Sequence, residues 1–389
     1  MEKEIGRYRI IAVKRFINGE SSESICTSLG RSRSWLYKWI KRYREHDDTW
    51  SRSRSRCPHS SEFRTAPEIV EVVKMVRLNL YNQDLFCGAQ AIRWELEDIG
   101  IKPLPSIRTI NRILSRNELT HRRTGKYAPK GTVYPTLPSL LPNQTHQADL
   151  VGPCYLKGPV RFYSLNVIDT ATVRCGLHPA FYKSGQAIFD GLWAIWKRMG
   201  IPDHIQVDNA MSFFGSPTHP RGMGPLIRLC LHNEVEPWFI PMAEPWRNGI
   251  IESFNGRYQQ MFLAKQIMLS TSELEAGSLA FEQRHNSKYR YSKIGGKTPL
   301  KALAASTIKL RFPGDVEPPR HRLTKPTTGR YHLVRLIRSG LKTNIFGELF
   351  QVPSELMYEY IVATINVKDQ KLQLFLGKSQ IEEYDYKLR

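Results

Sequence analysis

Apolar positions change their period twice along this chain. Through the first 118 residues they recur at spacings of three and four, the mark of helices with one buried face. Ile10, Val13 and Ile17 share a face of a first helix that stops near Asn18-Gly19. Ser21 or Ser22 caps a short second helix carrying Ile25 and Leu29, and Gly30 ends it. Ser32 then caps a third, in which Leu36, Ile40 and Tyr43 repeat while Arg33, Lys38, Lys41, Arg42 and Arg44 take the other faces. A second triplet follows Pro67: Ile69, Val72, Val73, Val76 and Leu80; then Ile92, Leu96 and Ile99; then Ile107, Ile110 and Leu114 behind Ser106.

From about Thr145 the pattern turns to alternation. THQADLVGPCYL, VRFYSLNVIDT and ATVRCGLHPAFY read as a three-stranded antiparallel meander. A helix with Ile188, Leu192, Ile195, Trp196 and Met199 on one side follows, then a short strand, HIQVD. A helix over 225–232, the strand VEPWFIP and a long helix with Glu252 soon after Asn248-Gly249 complete the order βββαβαβα. Short strands over 333–337, 349–352, 361–367 and 371–376 predict a small β-barrel at the end.

Composition breaks at SRSRSRCPHSS, at the proline-bearing stretch 126–142 and at the four-proline stretch 312–328 mark linkers. The expected fold is therefore multidomain. All-α helix-turn-helix modules occupy 1–48 and 65–118, an α/β core 141–304 and a β-rich domain 326–389, joined by a basic linker at 49–64 and linkers at 119–140 and 305–325. At 389 residues the chain exceeds one ordinary core, which agrees.

Charge narrows the function. Lys and Arg number 57 against 36 Asp and Glu, a net of +21, which calls for a polyanionic partner: nucleic acid or an anionic membrane surface. No run approaches the roughly 18 apolar residues of a spanning helix, so nucleic acid is favoured. The first residues interleave charges with a four-residue apolar run, so no secretory leader is read and a bacterial cytosolic or nucleoid location is expected. Six cysteines lie far apart without a C-x-x-C pair, which argues for reduced thiols rather than a zinc ribbon or a disulfide framework. Residues 1–130 hold 26 basic and 15 acidic side chains, whereas 131–300 hold 16 and 12; phosphate contacts are expected in the flank and chemistry in the middle.

A short helix, a glycine turn and a basic helix make a helix-turn-helix, whose second helix fits the major groove. Arg33, Lys38, Lys41 and Arg42 are its candidate DNA contacts; a basic solvated helix in an ordinary bundle is the alternative. Arg108, Asn111 and Arg112 occupy the outer face of the last helix in the second module, where Asn suits adenine and Arg guanine. Two such residues are also common on helices that touch no DNA. The alternating Ser51–Arg56 stretch suits an extended arm along a backbone or minor groove, or a plain linker. Arg330, Arg335, Arg338 and Lys342 are candidate phosphate contacts of the last domain, with a merely soluble basic surface as the alternative.

Three carboxylates stand out in the middle segment: Asp149 on its first strand, Asp208 at the end of its fourth and Glu252 near the start of a late helix. Singly each has an ordinary reading as a turn cap, an ion-pair partner or a helix-terminus charge, and Asp169, Asp203 and Glu244 are assigned such roles. Together, in QADLVGP, IQVDNAMSF and RNGIIESFNG, they are expected to converge on one sheet edge. Two carboxylates 4 Å apart repel by about 1 kcal/mol in water and about 4 kcal/mol at an effective dielectric of 20. Hard divalent cations remove that cost, and two such ions suit in-line displacement at phosphorus.

At these residues the sequence resembles insertion-sequence DDE transposases related to retroviral integrases, with an RNase H-like core. The similarity runs over 149–303 and more loosely over the whole chain; the run VEPWFIPMAEPWRNGIIESFNGRYQQ, then STSEL and TPLKAL, carries it. The resemblance implies that Asp149, Asp208 and Glu252 are catalytic and hold metal, that Asn209 matches the residue usually following the second Asp, and that the last domain is an SH3-like barrel. The pattern also departs from the family's. Between Asp208 and Glu252 lie 43 residues, more than usual, with the excess expected at 216–224. His146 stands where Trp is common and Gln259 where a basic residue is common, with Arg257 as its substitute in DNA contact.

The sequence thus predicts a transposase or integrase that binds element ends and cuts and joins strands with Mg²⁺ or Mn²⁺, as a pair of ions. Its partner is double-stranded DNA, both ends and target, in a homo-oligomer, with no membrane and no small-molecule substrate. A DNA-binding regulator with an inert integrase-like core is the alternative. A glycosidase using a carboxylate pair would explain the acids and leave the charge unexplained.

Overall fold

The computed structural model describes residues 2–45, 49–53, 65–120, 133–215, 221–314 and 323–389. Most of the stretch 51–61, the part of 126–142 before 133, the first half of the 216–224 loop, much of 312–328 and Cys57 lie outside the described residues. The chain divides into two units, Met1–Ala66 and Pro67–Arg389.

In the first unit, α1 (Glu2–Ile17), α2 (Ser22–Leu29) and α3 (Arg33–Arg44) form as the spacing predicts. Ser21 and Ser32 accept the N-cap bonds from Ser24 N and Trp35 N, and Gly30 ends α2 at φ 59, a left-handed turn that glycine adopts without penalty. Ala12, Val13, Ile25, Leu36, Trp39 and Ile40 make the core. Ile17 and Tyr43, expected on the apolar stripes, are exposed, and Trp39 takes the place that Tyr43 was assigned. The Arg9 and Arg42 guanidiniums lie 4.0 and 4.8 Å from the Trp39 ring, so that indole seats cations on one side of α3.

The second unit begins with α4 (Pro67–Asn82), α5 (Ala89–Asp98) and α6 (Ile107–Arg116), packed around Val73, Ile92, Leu96, Ile110 and Leu114. Next come β1 (Thr145–Tyr155), β2 (Arg161–Asp169) and β3 (Cys175–Ala180), the antiparallel meander. Then follow α7 (Gly185–Met199), β4 (His204–Val207), α8 (Met211–Phe214), α9 (Pro225–His232), β5 (Glu236–Phe239), α10 (Gly249–Tyr258), α11 (Thr271–Lys288) and α12 (Pro299–Ala304). β4 runs parallel to β1, and β5 parallel to β4.

Helices cover both faces of this sheet, as parallel pairing requires. Alternation along β2 decides the sides: Leu165 and Val167 pack with α7 and α9, Phe162 and Ile168 with α10 and α11. Gly191 of α7 lets the helix sit close, since a Cβ there would lie 2.7 Å from Leu165 Cδ2.

The last segment corrects the sequence reading. β6 (Arg330–Leu336), β7 (Lys342–Ile345), β8 (Glu348–Gln351), β9 (Tyr360–Asn366), β10 (Lys371–Leu376) and β11 (Ser379–Asp385) close no barrel. β6 pairs parallel with β5, and one open mixed sheet runs β11-β10-β9-β6-β5-β4-β1-β2-β3, with β7 and β8 as a separate hairpin. The reason is a shared core: Tyr331, Leu333, Ile361, Ala363, Ile365 and Leu374, alternate positions that line one face, join the same core as Ile205, Val207 and Phe239. Arg335 is likewise no phosphate contact. It is 7% exposed and hydrogen-bonded inside the protein, whereas Arg330, Arg338 and Lys342 are exposed.

Candidate active site

Asp149 sits midway along β1 and is partly buried; Asp208 follows the last residue of β4; Glu252 is exposed on the first turn of α10. Parallel pairing of β1 with β4, Gln147 opposite Gln206, brings the middle of β1 beside the end of β4, and so the first two acids into one neighbourhood. The start of α10 is tied to the same place. Ile251 N donates to Gln147 Oε1 (3.0 Å), Asn248 Nδ2 to Ala148 O (3.4 Å), and Gln206 Nε2 to Arg247 O (2.9 Å) and Asn248 Oδ1 (3.1 Å). Gln147 thus serves a helix terminus that Asn248, its N-cap residue, leaves without a side-chain cap.

Asp149 interacts electrostatically with each of the other two acids. Burial holds the Asp149 carboxyl above its ordinary value, and the Asp208 charge adds to the shift, while Leu150 N, Asn255 and Lys183 oppose it. Desolvation and the Asp149 charge raise Glu252 in turn. Asp149 is oriented at both oxygens: Oδ1 accepts from Leu150 N (2.8 Å) and Oδ2 from Asn255 Nδ2 (2.7 Å). Behind it, Asn166 Nδ2 donates to Asn255 Oδ1 (2.8 Å) and Ser164 Oγ to Asn166 Oδ1 (2.6 Å). Asp208 Oδ1 accepts from Ala210 N (3.0 Å), a local turn that sets its direction.

Among the described residues no three His, Cys, Asp or Glu side chains are already gathered closely enough to hold a metal ion. The donor set nevertheless fits a hard divalent cation, because mutually repelling carboxylates are what such a cation neutralises. His146 does not join that set. It is fully buried against Asn143 (3.1 Å), and burial and Arg174 lower its pKa to about 3, so the ring is neutral.

The other acids have structural partners. Asp169 accepts from Ala171 N and Thr172 N within its own turn, Asp203 pairs with Arg311 (3.4 Å), and Glu244 with Arg247 (2.9 Å). Asn255 and Asn166 were missed in the sequence. Asn255 lies three residues after Glu252, one helical turn on, so its place on the same face was available from spacing alone. Asn166 becomes visible only through the register that pairs it with Asp149.

The candidate DNA contacts are divided between the two units. Arg33, Lys38 and Lys41 are exposed on α3, Arg33 within 3.3 Å of Glu23; Arg42 is half-buried beside Trp39. On α6, Arg108 and Arg112 are exposed and Asn111 is half-buried, lining a cleft of about 380 Å³ with Phe86, Trp94 and Tyr291. Arg257 on α10 is half-buried, 5.4 Å from the Phe86 ring and 5.3 Å from the Tyr291 ring, with Nη2 donating to Ser253 Oγ (3.2 Å). No helix among the described residues is long and apolar enough to cross a membrane.

Residues 7–49 match the Homeodomain-like domain family, and residues 233–299 match the Integrase core domain family. The second match contains Glu252 and stops short of Asp149 and Asp208. Similar solved structures include the HTLV-2 integrase catalytic core domain in complex with magnesium, 18% identical over 43% of this chain and 99% of that one, TM-score 0.33. A simian T-cell lymphotropic virus intasome, in complex with PP2A regulatory subunit B56 gamma, is 14% identical over 80% of this chain and 96% of that one, TM-score 0.38. The catalytic core domain of BIV integrase is 15% identical over 42% and 94%, TM-score 0.33. The chain thus combines a homeodomain-like helix-turn-helix segment with an integrase core segment, a pairing consistent with a DDE transposase or integrase.

Proposed function

We propose that the chain is a DNA transposase or integrase that binds the ends of its element through the helix-turn-helix unit and cleaves and joins strands at Asp149, Asp208 and Glu252. The observation that carries this is the charge that Asp149 shares with Asp208 and with Glu252, beside the paired central strands β1 and β4. Such an arrangement costs stability and is retained where it has a use. Bound there, a pair of Mg²⁺ or Mn²⁺ ions would supply charge neutralisation and in-line activation of oxygen at phosphorus.

The chain's own residues supply position. Leu150 N and Asn255 hold Asp149 by both oxygens, and Ala210 N turns Asp208. Glu252, exposed on α10, stands where a bulky duplex can reach it. The cations of α3 and the net charge of +21 hold the polyanion, in a homo-oligomer that brings two ends together. Strand joining exchanges one phosphodiester for another, so the site has to orient a hydroxyl and a phosphate rather than provide energy.

The test is strand joining by the full chain on its element's terminal DNA with Mg²⁺. Asp208→Asn keeps the side chain's shape and removes a charge, so it should abolish joining while end binding remains. Joining at wild-type rate by this variant contradicts the catalytic reading, and absence of joining by the wild-type chain favours the regulator.

A further inference from the structure

We propose that the C-terminal strands are a positioning part of this site, with Arg335 on β6 fixing the Asp208 loop and Tyr360 at the head of β9 fixing the segment that delivers Glu252. The inference rests on the catalytic reading of the three acids.

The first contact reaches the residue after Asp208. Arg335 Nη2 donates to Asn209 Oδ1 (3.0 Å), and Asn209 Nδ2 donates to Ile240 O (2.5 Å). The same guanidinium donates from Nη1 to Ile240 O (3.3 Å) and Val334 O (2.9 Å), and from Nε to Asn344 O (2.9 Å). Arg335 is 7% exposed, and among the described residues these partners are carbonyls and an amide rather than a carboxylate. A buried cation is costly to keep, and here its hydrogen bonds knit the loop after β4 to the loop after β5.

The second contact reaches the segment before α10. Tyr360 Oη donates to Glu244, 2.9 Å from each carboxylate oxygen, and accepts from Arg247 Nη2 (2.9 Å). The Arg247 guanidinium lies 4.0 Å from the Tyr134 ring and 4.9 Å from the Tyr360 ring, and its Nε meets Glu244 at 2.9 Å. Arg247 belongs to the turn Pro245–Asn248 that leads directly into the helix of Glu252.

Both contacts come from one ladder. β6 and β9 pair antiparallel with Arg335 opposite Ile361 and Leu336 opposite Tyr360, so Arg335 and Tyr360 sit one step apart on adjacent strands. The distance between the Asp208 loop and the Glu252 helix is therefore set by a hydrogen-bonded pair of strands rather than by loops alone. A segment that by sequence looks like a DNA-binding appendage acts as the jig for two catalytic carboxylates.

The experiment compares Arg335→Met, Tyr360→Phe and Asn209→Ala with wild type in the full chain, reading hydrogen exchange in the free protein and joining on terminal DNA with Mg²⁺. Exchange should quicken over 208–215 in Arg335→Met and over 244–250 in Tyr360→Phe, each variant loosening its own segment. Joining kcat should fall about 10- to 100-fold in Arg335→Met with KM for DNA ends unchanged, since a displaced catalytic group costs rate rather than binding. Arg335→Met should add little in an Asn209→Ala background, because both act through one bond network. Unchanged exchange in both segments, or wild-type kcat in Arg335→Met and Tyr360→Phe, overturns the proposal. If Arg335→Met fails to fold, Tyr360→Phe, which keeps the ring over Arg247, decides it. Failure of the wild-type chain to join DNA strikes the functional reading instead, and the exchange data still judge the positioning.

Discussion

The helix α3 and the carboxylate site carry opposite charges and are built in opposite ways. On α3 the cations Arg33, Lys38 and Lys41 are exposed, and they come from one short stretch of sequence. Asp149, Asp208 and Glu252 come instead from the middle of β1, the residue after β4 and the start of α10, and Asp149 is partly buried and held at both oxygens. Exposed like charges facing a polyanion act nearly as a sum, because each releases its own counterions. Carboxylates that feel one another act as a unit, because each sets the charge and position of the next. The first kind of site degrades gradually and the second fails at once.

The sharpest break of that contrast is Asp149→Asn. We expect joining to fall by at least about 100-fold while binding of terminal DNA is little changed, measured by joining kinetics beside a binding titration. A loss no larger than that of one cation on α3 would remove the distinction.

Acid should expose the same coupling. Burial and the Asp208 charge raise the Asp149 carboxyl, and Glu252 is raised as well, so joining should fall on acidification at a higher pH than an isolated carboxylate, near about 4, would give. The effect on stability has the opposite sign. A native pKa above the unfolded one means that the folded chain binds the proton more tightly, so Asp149 favours the fold when protonated and loses that contribution as pH rises through its raised native value. Asp208→Asn should therefore lower the Asp149 pKa, read by carboxyl NMR titration; no shift would show that the two acids are uncoupled.

The smallest effect is expected on α3. Replacing Lys38 or Lys41 by alanine should weaken end binding a few-fold and reduce the dependence of log affinity on log salt by about 1 per cation, with joining at saturating DNA preserved. A loss of joining under saturation would place these cations in the chemistry.

How far the sequence foretold each region follows from the same difference. The helices of Met1–Ala66 were legible through caps and spacing, because their contacts are local: Ser21, Gly30 and Ser32 each act within four residues. The meander and the order of β4 and β5 were legible too, since alternation and a helix between parallel strands constrain the topology. The three acids were singled out by their surroundings. Their supports were not: Asn166 lies opposite Asp149 only by register, and Arg335 meets Asn209 only because β6 adds to β5. The same pairing defeated the barrel expectation. Short strands with buried residues are compatible with a closed barrel or an extended sheet, and only a long-range partner such as Trp238 opposite His332 decides between them.

The most direct test of the carboxylate site varies the cation on the full wild-type chain with its element's terminal DNA. Mg²⁺ demands near-octahedral geometry at about 2.0 to 2.1 Å, whereas Ca²⁺ takes more ligands at about 2.3 to 2.6 Å in a looser shell. On the proposed reading either ion should relieve repulsion among Asp149, Asp208 and Glu252, and only the tighter geometry should suit in-line displacement. Assembly on DNA ends with both ions and joining with Mg²⁺ alone is the predicted result; joining that persists at full rate in excess chelator would contradict it.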